Sequence, residues 1–386
     1  MQYNLKKMEE ADLNKQTVLV RVDFNVAISN KKIMNTKRID STIPTINYLE
    51  SKNCRIILVS HLGRPRGVDM NLSLQPVRDY LSEKLNKEVY FIKNIESINE
   101  TVNRMNYGDV AIMENIRFYN EETKNSEKFS KMLASSASVF VSDAFGTLHR
   151  AHSSTVGVSQ YLPSYAGLLV EKEVCEISKL LDNPSHPYTV ALGGAKVSDK
   201  IKLIQNLSKN TDRFVIGGAM ANSFIRAMGF ETGKSLVDSV GLAKQLLDSM
   251  GNKLILPVDV IVCNESMDRE TIRNAKIDDI KINETAMDIG NETTAMFRDL
   301  IKESRTVIFN GPMGYVENES FENGTKAVMD AIGSVNGVRV AGGGDTLSAI
   351  EKFHMENRFS YISTGGGAFL EMLEGSELPG LKVLLK

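Results

Sequence analysis

The sequence has few cysteines, and their spacing excludes the usual cysteine-based frameworks. Only three occur among 386 residues, Cys54, Cys175 and Cys263. An odd number at such distances fits neither a disulfide framework nor a C-x-x-C metal site. The five histidines show no metal-ligand spacing either. We therefore expect a reduced, cytoplasmic setting.

The sequence also lacks a large net charge and long apolar runs. The net charge is −2 and the pI is about 6.3, which argues against a general role at nucleic acids or membrane surfaces. No apolar run approaches the length that spans a bilayer. The polar start MQYNLKKMEEADLNK lacks the apolar segment of a signal peptide. What remains is the composition of a globular protein with two or three domains.

Short runs rich in valine and isoleucine alternate with segments of helical periodicity such as PVRDYLSEKLNKEV and SEKFSKMLASSAS. Most of these runs lead into a polar, charged or glycine-rich loop: TVLVRV, RIILVS, DVAIM, SVFVSDA, YTVAL, RTVIF, GVRV and SYI. Strands that alternate with helices predict a parallel sheet, and ligands bind beyond the carboxyl ends of its strands. The predicted fold is two Rossmann-like three-layer α/β/α domains with mainly parallel sheets, joined by a helical connector.

The predicted connector is a helical run from Leu168 to Leu181 with prolines beyond both ends. The position of this helix determines where we expect the domains to begin and end. We expect an N-terminal domain over residues 1–167, a connecting helix over 168–186 and a C-terminal domain over 187–368. The remaining segment, 369–386, is expected to pack its apolar tip back on the N-terminal domain.

Before about residue 170 the loops carry arginine and histidine. An arginine grips phosphate or carboxylate with two parallel donors, and several that converge would be costly without an anionic ligand. A single one is most simply a surface or ion-paired residue, but placement at or near successive strand ends favours a shared anion site. The candidates are Asp23, Asn25, Arg38, His61, Arg64, Arg117 and Arg150. For Asp23, a general base, a turn residue and a binding role stay open, and binding is slightly favoured.

After residue 170 the loops carry glycine, lysine and one aspartate. Loop 193–200 follows a strand and opens a helix, with Ser198 as its predicted N-cap. Glycines let backbone amides approach phosphates, and Lys196 and Lys200 stand four apart, so both can meet one phosphate chain. The alternative is a plain tight turn with two solvated lysines.

Loops 342–346 and 365–367 have the same strand-then-helix context. Glycines that end helices are the alternative for each. Asp345 is the best candidate for a metal ligand, since one carboxylate together with nucleotide phosphates is the usual way in which Mg²⁺ is held. Loop 229–235 looks like a P-loop but has three residues between its glycines where that motif has four, so we interpret it as a connecting loop.

Eight segments, in this order, resemble the phosphoglycerate kinase family: RVDFNV, SHLGRP, ENIRF, SDAFGTLHRAHSS, GGAKVSDK, NGPMG, GGGDT and STGGGA. The resemblance implies reversible phosphoryl transfer from 1,3-bisphosphoglycerate to MgADP, which gives 3-phosphoglycerate and MgATP in glycolysis. The acceptor in the reverse direction is an ionised carboxylate, so domain closure and charge stabilisation suffice without a general base. We expect a cytoplasmic monomer that binds neither nucleic acid nor membrane.

The resemblance also implies roles for single residues. The 3-phosphoglycerate site would consist of Asp23, Asn25, Arg38, His61, Arg64, Arg117 and Arg150. Catalysis would fall to Arg38, Lys196 and the amides of Gly365, Gly366 and Gly367. The nucleotide would be bound by Lys200, Asn310, Pro312, Glu317, Gly343, Gly344, Asp345 and Thr346, with Asp345 also the Mg²⁺ ligand.

Four positions depart from the family pattern. Ala27 replaces a frequent proline, Leu148 a usual alanine, Ala219 a frequent glycine and Phe309 a usual tryptophan. None of them supplies a charge or a donor, so they concern packing and the shape of the nucleoside pocket. Two alternative functions stay open, a different small-acid kinase of the same fold and a catalytically silent nucleotide-binding protein.

Overall fold

The computed structural model describes residues 3–386. The chain forms two compact units, and the division falls inside one helix. The first unit contains residues 3–176 and 377–386, and the second contains residues 177–376.

The first unit is built on a six-stranded parallel sheet and a small antiparallel hairpin. Its strands are β1 (Thr17–Arg21), β2 (Ile28–Ser29), β3 (Lys32–Ile33), β4 (Arg55–Val59), β5 (Val89–Ile92), β6 (Val110–Met113), β7 (Val139–Ser142) and β8 (Ser164–Ala166). The sheet order is β5-β6-β4-β1-β7-β8, and β2 pairs with β3. Val18 and Val20 face one apolar core while Leu19 faces another. Both faces of the sheet are therefore covered, as a parallel sheet requires.

Helices of the first unit cover this sheet. They are α1 (Lys37–Asp40), α2 (Ile43–Ser51), α3 (Gln75–Lys84), α4 (Ile98–Arg104), α5 (Asn120–Thr123), α6 (Glu127–Ala134) and the first part of α7 (Leu168–Asp182), whose residues from 177 belong to the second unit. The predicted connector is confirmed as a helix, α7, which ends one residue later than expected. The prediction for PVRDYLSEKLNKEV was too long, because Asn86 adopts a φ of 51° after the last turn and the chain then enters β5.

The second unit is also built on a parallel six-stranded sheet. Its strands are β9 (Tyr188–Leu192), β10 (Arg213–Ile216), β11 (Leu254–Ile255), β12 (Asp259–Cys263), β13 (Arg273–Lys276), β14 (Thr285–Ile289), β15 (Thr306–Asn310), β16 (Val338–Ala341) and β17 (Tyr361–Ile362). The order is β11-β10-β9-β15-β16-β17, beside a smaller antiparallel sheet, β13-β12-β14. Its helices are α8 (Ile201–Leu207), α9 (Met220–Ala227), α10 (Val240–Met250), α11 (Asn291–Lys302), α12 (Asn323–Gly333), α13 (Gly344–Lys352) and α14 (Gly367–Leu373).

All eight predicted strand runs are strands of the two six-stranded sheets, and the predicted fold class is confirmed. Four of them, β6, β4, β1 and β7, lie side by side in the first unit. The other four, β9, β15, β16 and β17, are neighbours in the second. Because parallel strands end at one edge, each unit gathers its unusual loops at a single edge.

The C-terminal residues belong to the first unit. A last helix, α15 (Pro379–Lys382), is tied to it by the Gly380 amide, which donates to the Leu148 carbonyl oxygen at 2.8 Å. Leu5 and Leu385 form an antiparallel bridge. The sequence-based domain limits stay predictions. Within residues 3–386, no helix combines the length and the apolar character needed to cross a membrane.

Candidate active site

Backbone and side-chain hydrogen bonds tie together the loops that follow β1, β4 and β6. The Gly63 amide donates to Asn25 Oδ1 at 2.8 Å, and Arg117 Nη1 donates to the Gly63 carbonyl oxygen at 2.7 Å. The sheet thus brings Asn25 and Arg117, which stand far apart in sequence, to the same glycine of the SHLGRP loop.

Asn115 fixes the backbone conformation of these loops. Fully buried, it donates through Nδ2 to the carbonyl oxygens of Leu62 and Leu72 and accepts through Oδ1 from the amides of Leu62 and Arg117. A buried amide side chain with these bonds fixes the backbone on both sides of it. Asn115 lies in the ENIRF segment, but the sequence pattern predicted no role for it.

Arg38 reaches the site from a different kind of element than expected. It lies in the short helix α1, after the hairpin β2–β3, and not at the end of a strand of the main sheet. That part of the prediction was wrong, because the hairpin and helix insert between two strands of the sheet. Arg38 Nη1 donates to Asp23 Oδ2 at 3.1 Å and to the Asn25 carbonyl oxygen at 3.3 Å.

Arg21, a buried arginine that the sequence pattern did not predict, sets the tautomer and the protonation of His61. Arg21 ends β1 and is 1% exposed, and its Nη2 lies 3.1 Å from His61 Nδ1. Because a guanidinium can only donate, Nδ1 accepts and the neutral ring carries its proton on Nε2. Burial and the charges of Arg21 and Arg117 hold the pKa of His61 well below its ordinary value. His61 is therefore a neutral donor at pH 7.

Arg21 is in turn held by a buried polar network. Its Nε donates to Ser154 Oγ at 2.8 Å, and Ser154 donates through its hydroxyl and its amide to Glu122 at 2.7 and 3.0 Å. Burial raises the pKa of Glu122, against the lowering by Arg21 and Ser154. The sequence signal for Arg21 was a charge inside the apolar run TVLVRV. Glu122 had none.

Three of the predicted arginines line a cavity of about 420 Å³, whereas the predicted residues Asp23, Asn25, Arg38 and His61 do not. Its lining consists of Arg64, Pro65, Arg117, Tyr119, Asn120, Thr123, Arg150 and His152. Burial, with the neighbouring charges of Arg150 and Arg21, lowers the pKa of Arg117 to about 10, so it stays protonated at pH 7. Burial, with the charges of Arg117 and Arg21, lowers the pKa of His152 to about 4. The cavity thus has three arginine cations and one neutral histidine, which suits a small anion.

In the second unit, side chains of the glycine loops connect the strand ends. Lys200 donates to Asn310 Oδ1, and Asn310 Nδ2 donates to the Gly342 carbonyl oxygen at 2.6 Å. The Gly311 amide donates to Thr346 Oγ1 at 2.7 Å. Burial lowers the pKa of Lys200, while Asp345 and other carboxylates oppose that shift. Lys200, Asn310 and Thr346 therefore meet at the ends of β9, β15 and β16.

The loop that carries Lys196 is organised differently from the prediction. Helix α8 begins at Ile201, so Ser198 is not its N-cap. Instead the amides of Val197 and Ser198 donate to the carboxylate of Asp238 at 2.9 and 3.3 Å. Asp238 is distant in sequence from both amides, so a local sequence pattern could not predict these hydrogen bonds.

A cavity of about 610 Å³ lies beside these loops. It is lined by Gly194, Ala195, Gly218, Ala219, Leu236, Thr285, Ala286, Met287, Pro312, Gly314, Tyr315, Val316, Glu317, Asp345, Ser348, Ala349 and Lys352. Three predicted nucleotide residues line it, Pro312, Glu317 and Asp345. Leu236 and Tyr315 are 50% and 42% exposed, so apolar surface is open to a ligand there. Neither residue belongs to the motifs that predicted the nucleotide site.

Other predicted residues do not line this cavity. Lys196 is exposed, and Gly343 and Gly344 stand at the start of α13. The Gly365 amide donates to Ser363 Oγ at 3.1 Å, and Gly366 adopts a φ of 48° immediately before α14. Only glycine accepts that backbone conformation at little cost.

Asp345 is suited to a divalent cation shared with a ligand. It lies exposed in the first turn of α13 and lines the larger cavity. Among residues 3–386, no three histidine, cysteine, aspartate or glutamate side chains group into a metal centre. One hard carboxylate facing a cavity fits Mg²⁺ that takes its other oxygen ligands from phosphate and water.

The four departures from the family pattern have different surroundings. Phe309 is fully buried and stacks on Phe359, with ring centroids 6.1 Å apart, so it belongs to the core. Leu148 is buried against Gly380, whereas Ala27 is exposed. Ala219 lines the larger cavity. Of the four, only Ala219 touches the predicted nucleotide site.

Comparison with known proteins gives one family. A family model described as phosphoglycerate kinase matches residues 8–376. Relatives named phosphoglycerate kinase from Dictyoglomus turgidum and Pelotomaculum thermopropionicum are 46% and 45% identical, over 98% of this chain and 97% and 99% of theirs. The solved phosphoglycerate kinase structure from Coxiella burnetii is 38% identical with a TM-score of 0.89, and the one from Pyrococcus horikoshii is 32% identical with 0.85. Each comparison covers 98% of both chains.

Proposed function

The chain belongs to the phosphoglycerate kinase family, and from that premise we propose how its residues perform the reaction. The activity is reversible phosphoryl transfer from 1,3-bisphosphoglycerate to ADP, with a carboxyl group as the acceptor in the reverse direction. The observation that carries the assignment of roles is the gathering of arginine loops at one sheet edge and glycine loops at another. One edge binds the phosphorylated acid, and the other binds the nucleotide.

In this proposal the cations around the smaller cavity bind 3-phosphoglycerate. Arg64, Arg117 and Arg150 supply charge that the nearby carboxylates do not cancel. The Nε2 proton of His61 is available for an oxygen of the acid, because Nδ1 is already taken by Arg21. Asn25 orders the Gly63 loop and Asp23 holds Arg38, which supports a binding and orienting role for both.

The nucleotide occupies the larger cavity in this proposal. Leu236 and Tyr315 offer apolar surface to the base, and Pro312 and Glu317 contact the nucleoside. The phosphates meet Lys200, Thr346 and the amides of Gly343 and Gly344, while Asn310 joins Pro312 and Glu317 at the nucleoside. Asp345 holds Mg²⁺, which supplies positive charge to the phosphates when it is bound.

Phosphoryl transfer here depends on alignment and charge and needs no general base. Asp23 is engaged with Arg38, and His61 is neutral with its basic nitrogen occupied. Arg38, Lys196 and the amides of Gly365, Gly366 and Gly367 are proposed to stabilise charge on the phosphoryl group in transit. We further propose that binding of both ligands drives closure, so that they meet in line and exclude water. We expect a cytoplasmic monomer.

A coupled assay tests the function directly. Purified protein is mixed with 3-phosphoglycerate and MgATP, and product is followed as NADH oxidation by an added dehydrogenase. Activity with this acid above that with a panel of other phosphorylated acids supports the proposal. Equal or higher activity with another acid would favour the alternative small-acid kinase, and no turnover on any acid would favour the silent nucleotide-binding protein.

Lys200→Ala is expected to weaken ADP binding by about tenfold, because a half-buried ammonium that meets phosphate in the ground state is lost. Isothermal titration calorimetry with MgADP measures the effect. Lys202→Ala, which removes an exposed lysine of the same helix region, is the matched control and should leave the affinity unchanged. An unaltered ADP affinity in the Lys200 variant would contradict the assigned role.

Asp345→Asn is expected to raise the Mg²⁺ concentration for half-maximal activity several-fold. The neutral amide leaves the ion held by nucleotide and water alone. Initial rates over a Mg²⁺ titration at fixed ATP measure the shift. Asp299→Asn changes an exposed aspartate of α11 and should leave the titration in place. Coincident titration curves for the wild type and Asp345→Asn would mean that Asp345 is not a ligand.

A further inference from the structure

Asp238 anchors the loop that carries Lys196. Its Oδ1 accepts from the Val197 amide at 2.9 Å, and its Oδ2 accepts from the Ser198 amide at 3.3 Å. The two residues lie 41 and 40 positions away in sequence. Asp238 stands in the connecting segment between α9 and α10, outside every motif of the sequence analysis.

Asp238 is itself held firmly. Its amide donates to Ser223 Oγ at 3.0 Å, and Ser223 Oγ donates back to Asp238 Oδ1 at 3.2 Å. Ser223 lies on α9 and is fully buried. Burial opposes ionisation of Asp238, but the hydrogen bonds from Val197 and Ser198 outweigh it and lower the pKa. The carboxylate therefore stays charged at neutral pH and links a rigid helix to an exposed loop.

The hydrogen bonds to Asp238 determine the position of the Lys196 backbone. Loop residues 195–199 precede the first turn of α8, which starts at Ile201. The Val197 side chain is fully buried, so this buried side chain and the hydrogen bond from the Val197 amide to Asp238 together fix the residue next to Lys196. Lys196 is exposed, and none of the hydrogen bonds or ion pairs found among residues 3–386 holds its ammonium. The backbone therefore fixes only the point from which the Lys196 side chain extends.

We propose that Asp238 is a positioning residue that aims Lys196 at the transferring phosphoryl group. This inference rests on the proposed role of Lys196. A side chain with four rotatable bonds has many end positions, and fixing its backbone narrows them. Small misplacements of a group that acts only in the transition state lower kcat strongly and ground-state binding little. Asp238 would thus affect kcat without touching a substrate.

The test is a double-mutant cycle of Asp238→Ala and Lys196→Ala, with kcat and KM measured for each variant in the coupled assay. We expect Asp238→Ala to lower kcat by about thirtyfold and to change KM for ATP by less than about threefold. In the Lys196→Ala background, Asp238→Ala should lower kcat by less than about twofold, because the group that Asp238 positions is already gone. Asp248→Ala, an exposed aspartate of α10, is the matched control.

Asp238→Asn provides a second variant, since its amide oxygen can still accept from Val197. We expect it to recover most of the kcat lost in the alanine variant, and native hydrogen-exchange rates elsewhere in the unit would confirm that both variants are folded. An equal loss of kcat from Asp238→Ala with and without Lys196 would overturn the inference while leaving the role of Lys196 intact. If Lys196→Ala itself lowers kcat by less than tenfold, the proposed function of Lys196 fails, and the inference falls with it.

Discussion

Arg38→Ala is expected to lower kcat by at least about a hundredfold, the usual loss when one preorganised donor to transition-state charge is removed. The guanidinium is oriented by Asp23 and by the Asn25 carbonyl oxygen, yet it remains 32% exposed, so donors are left over for a ligand. Affinity for ADP should stay within about threefold of wild type, because the nucleotide is proposed to bind in the other unit. Steady-state kinetics and calorimetry with MgADP measure the two quantities.

Two further variants sharpen this prediction. Arg38→Lys keeps the charge but loses the planar fork of donors, so it should recover only part of the lost rate. Arg104→Ala removes an exposed arginine of α4, 64% exposed, and should leave kcat unchanged. KM for 3-phosphoglycerate should also rise in Arg38→Ala, since Asp23 loses its partner and repels the anionic acid. A loss of kcat of tenfold or less would refute a transition-state role for Arg38.

The sequence predicted the parts of this fold that depend on local pattern. Valine- and isoleucine-rich runs identified eight strands of the two parallel sheets, and helical periodicity identified α7 to within one residue. The resemblance to a family and the placement of unusual residues after strands gave the candidate site. Such predictions succeed because strand burial and helix amphipathicity leave a periodic trace in the sequence itself.

The sequence did not predict contacts between residues that are distant along the chain. Arg21 and Glu122 interact through Ser154, and neither spacing nor residue type reveals that meeting. Asp238 accepts from the amides of Val197 and Ser198, and Ser198 is not the helix cap that the sequence predicted. Arg38 was misplaced because an inserted hairpin and helix separate it from the strand ends. In each case tertiary packing, which has no local signature, decides the outcome.

Gly311→Ala is expected to destabilise the second unit by about 3 kcal/mol, through a strained backbone and an overpacked core. Gly311 has a φ of 97°, a conformation that residues with a Cβ rarely adopt. A methyl group there would overlap the Gly193 backbone, and one on Gly193 would overlap the Pro312 carbonyl oxygen. The ends of β9 and β15 therefore pack backbone against backbone, joined by the Gly194 amide, which donates to the Pro312 oxygen at 3.0 Å.

Gly194 and Pro312, which make this close approach, also line the larger cavity, so loss of stability and loss of ADP affinity should appear together. Amide hydrogen exchange in β9 and β15 measures the first, and calorimetry measures the second. Gly241→Ala is the matched control, because Gly241 is exposed in α10 with no atom within 4 Å of an added methyl group. That change should instead add up to about 1 kcal/mol of stability by favouring the helix. Wild-type exchange rates in Gly311→Ala would mean that the two strand ends can separate without cost, and the backbone contact would then not be what shapes the nucleotide site.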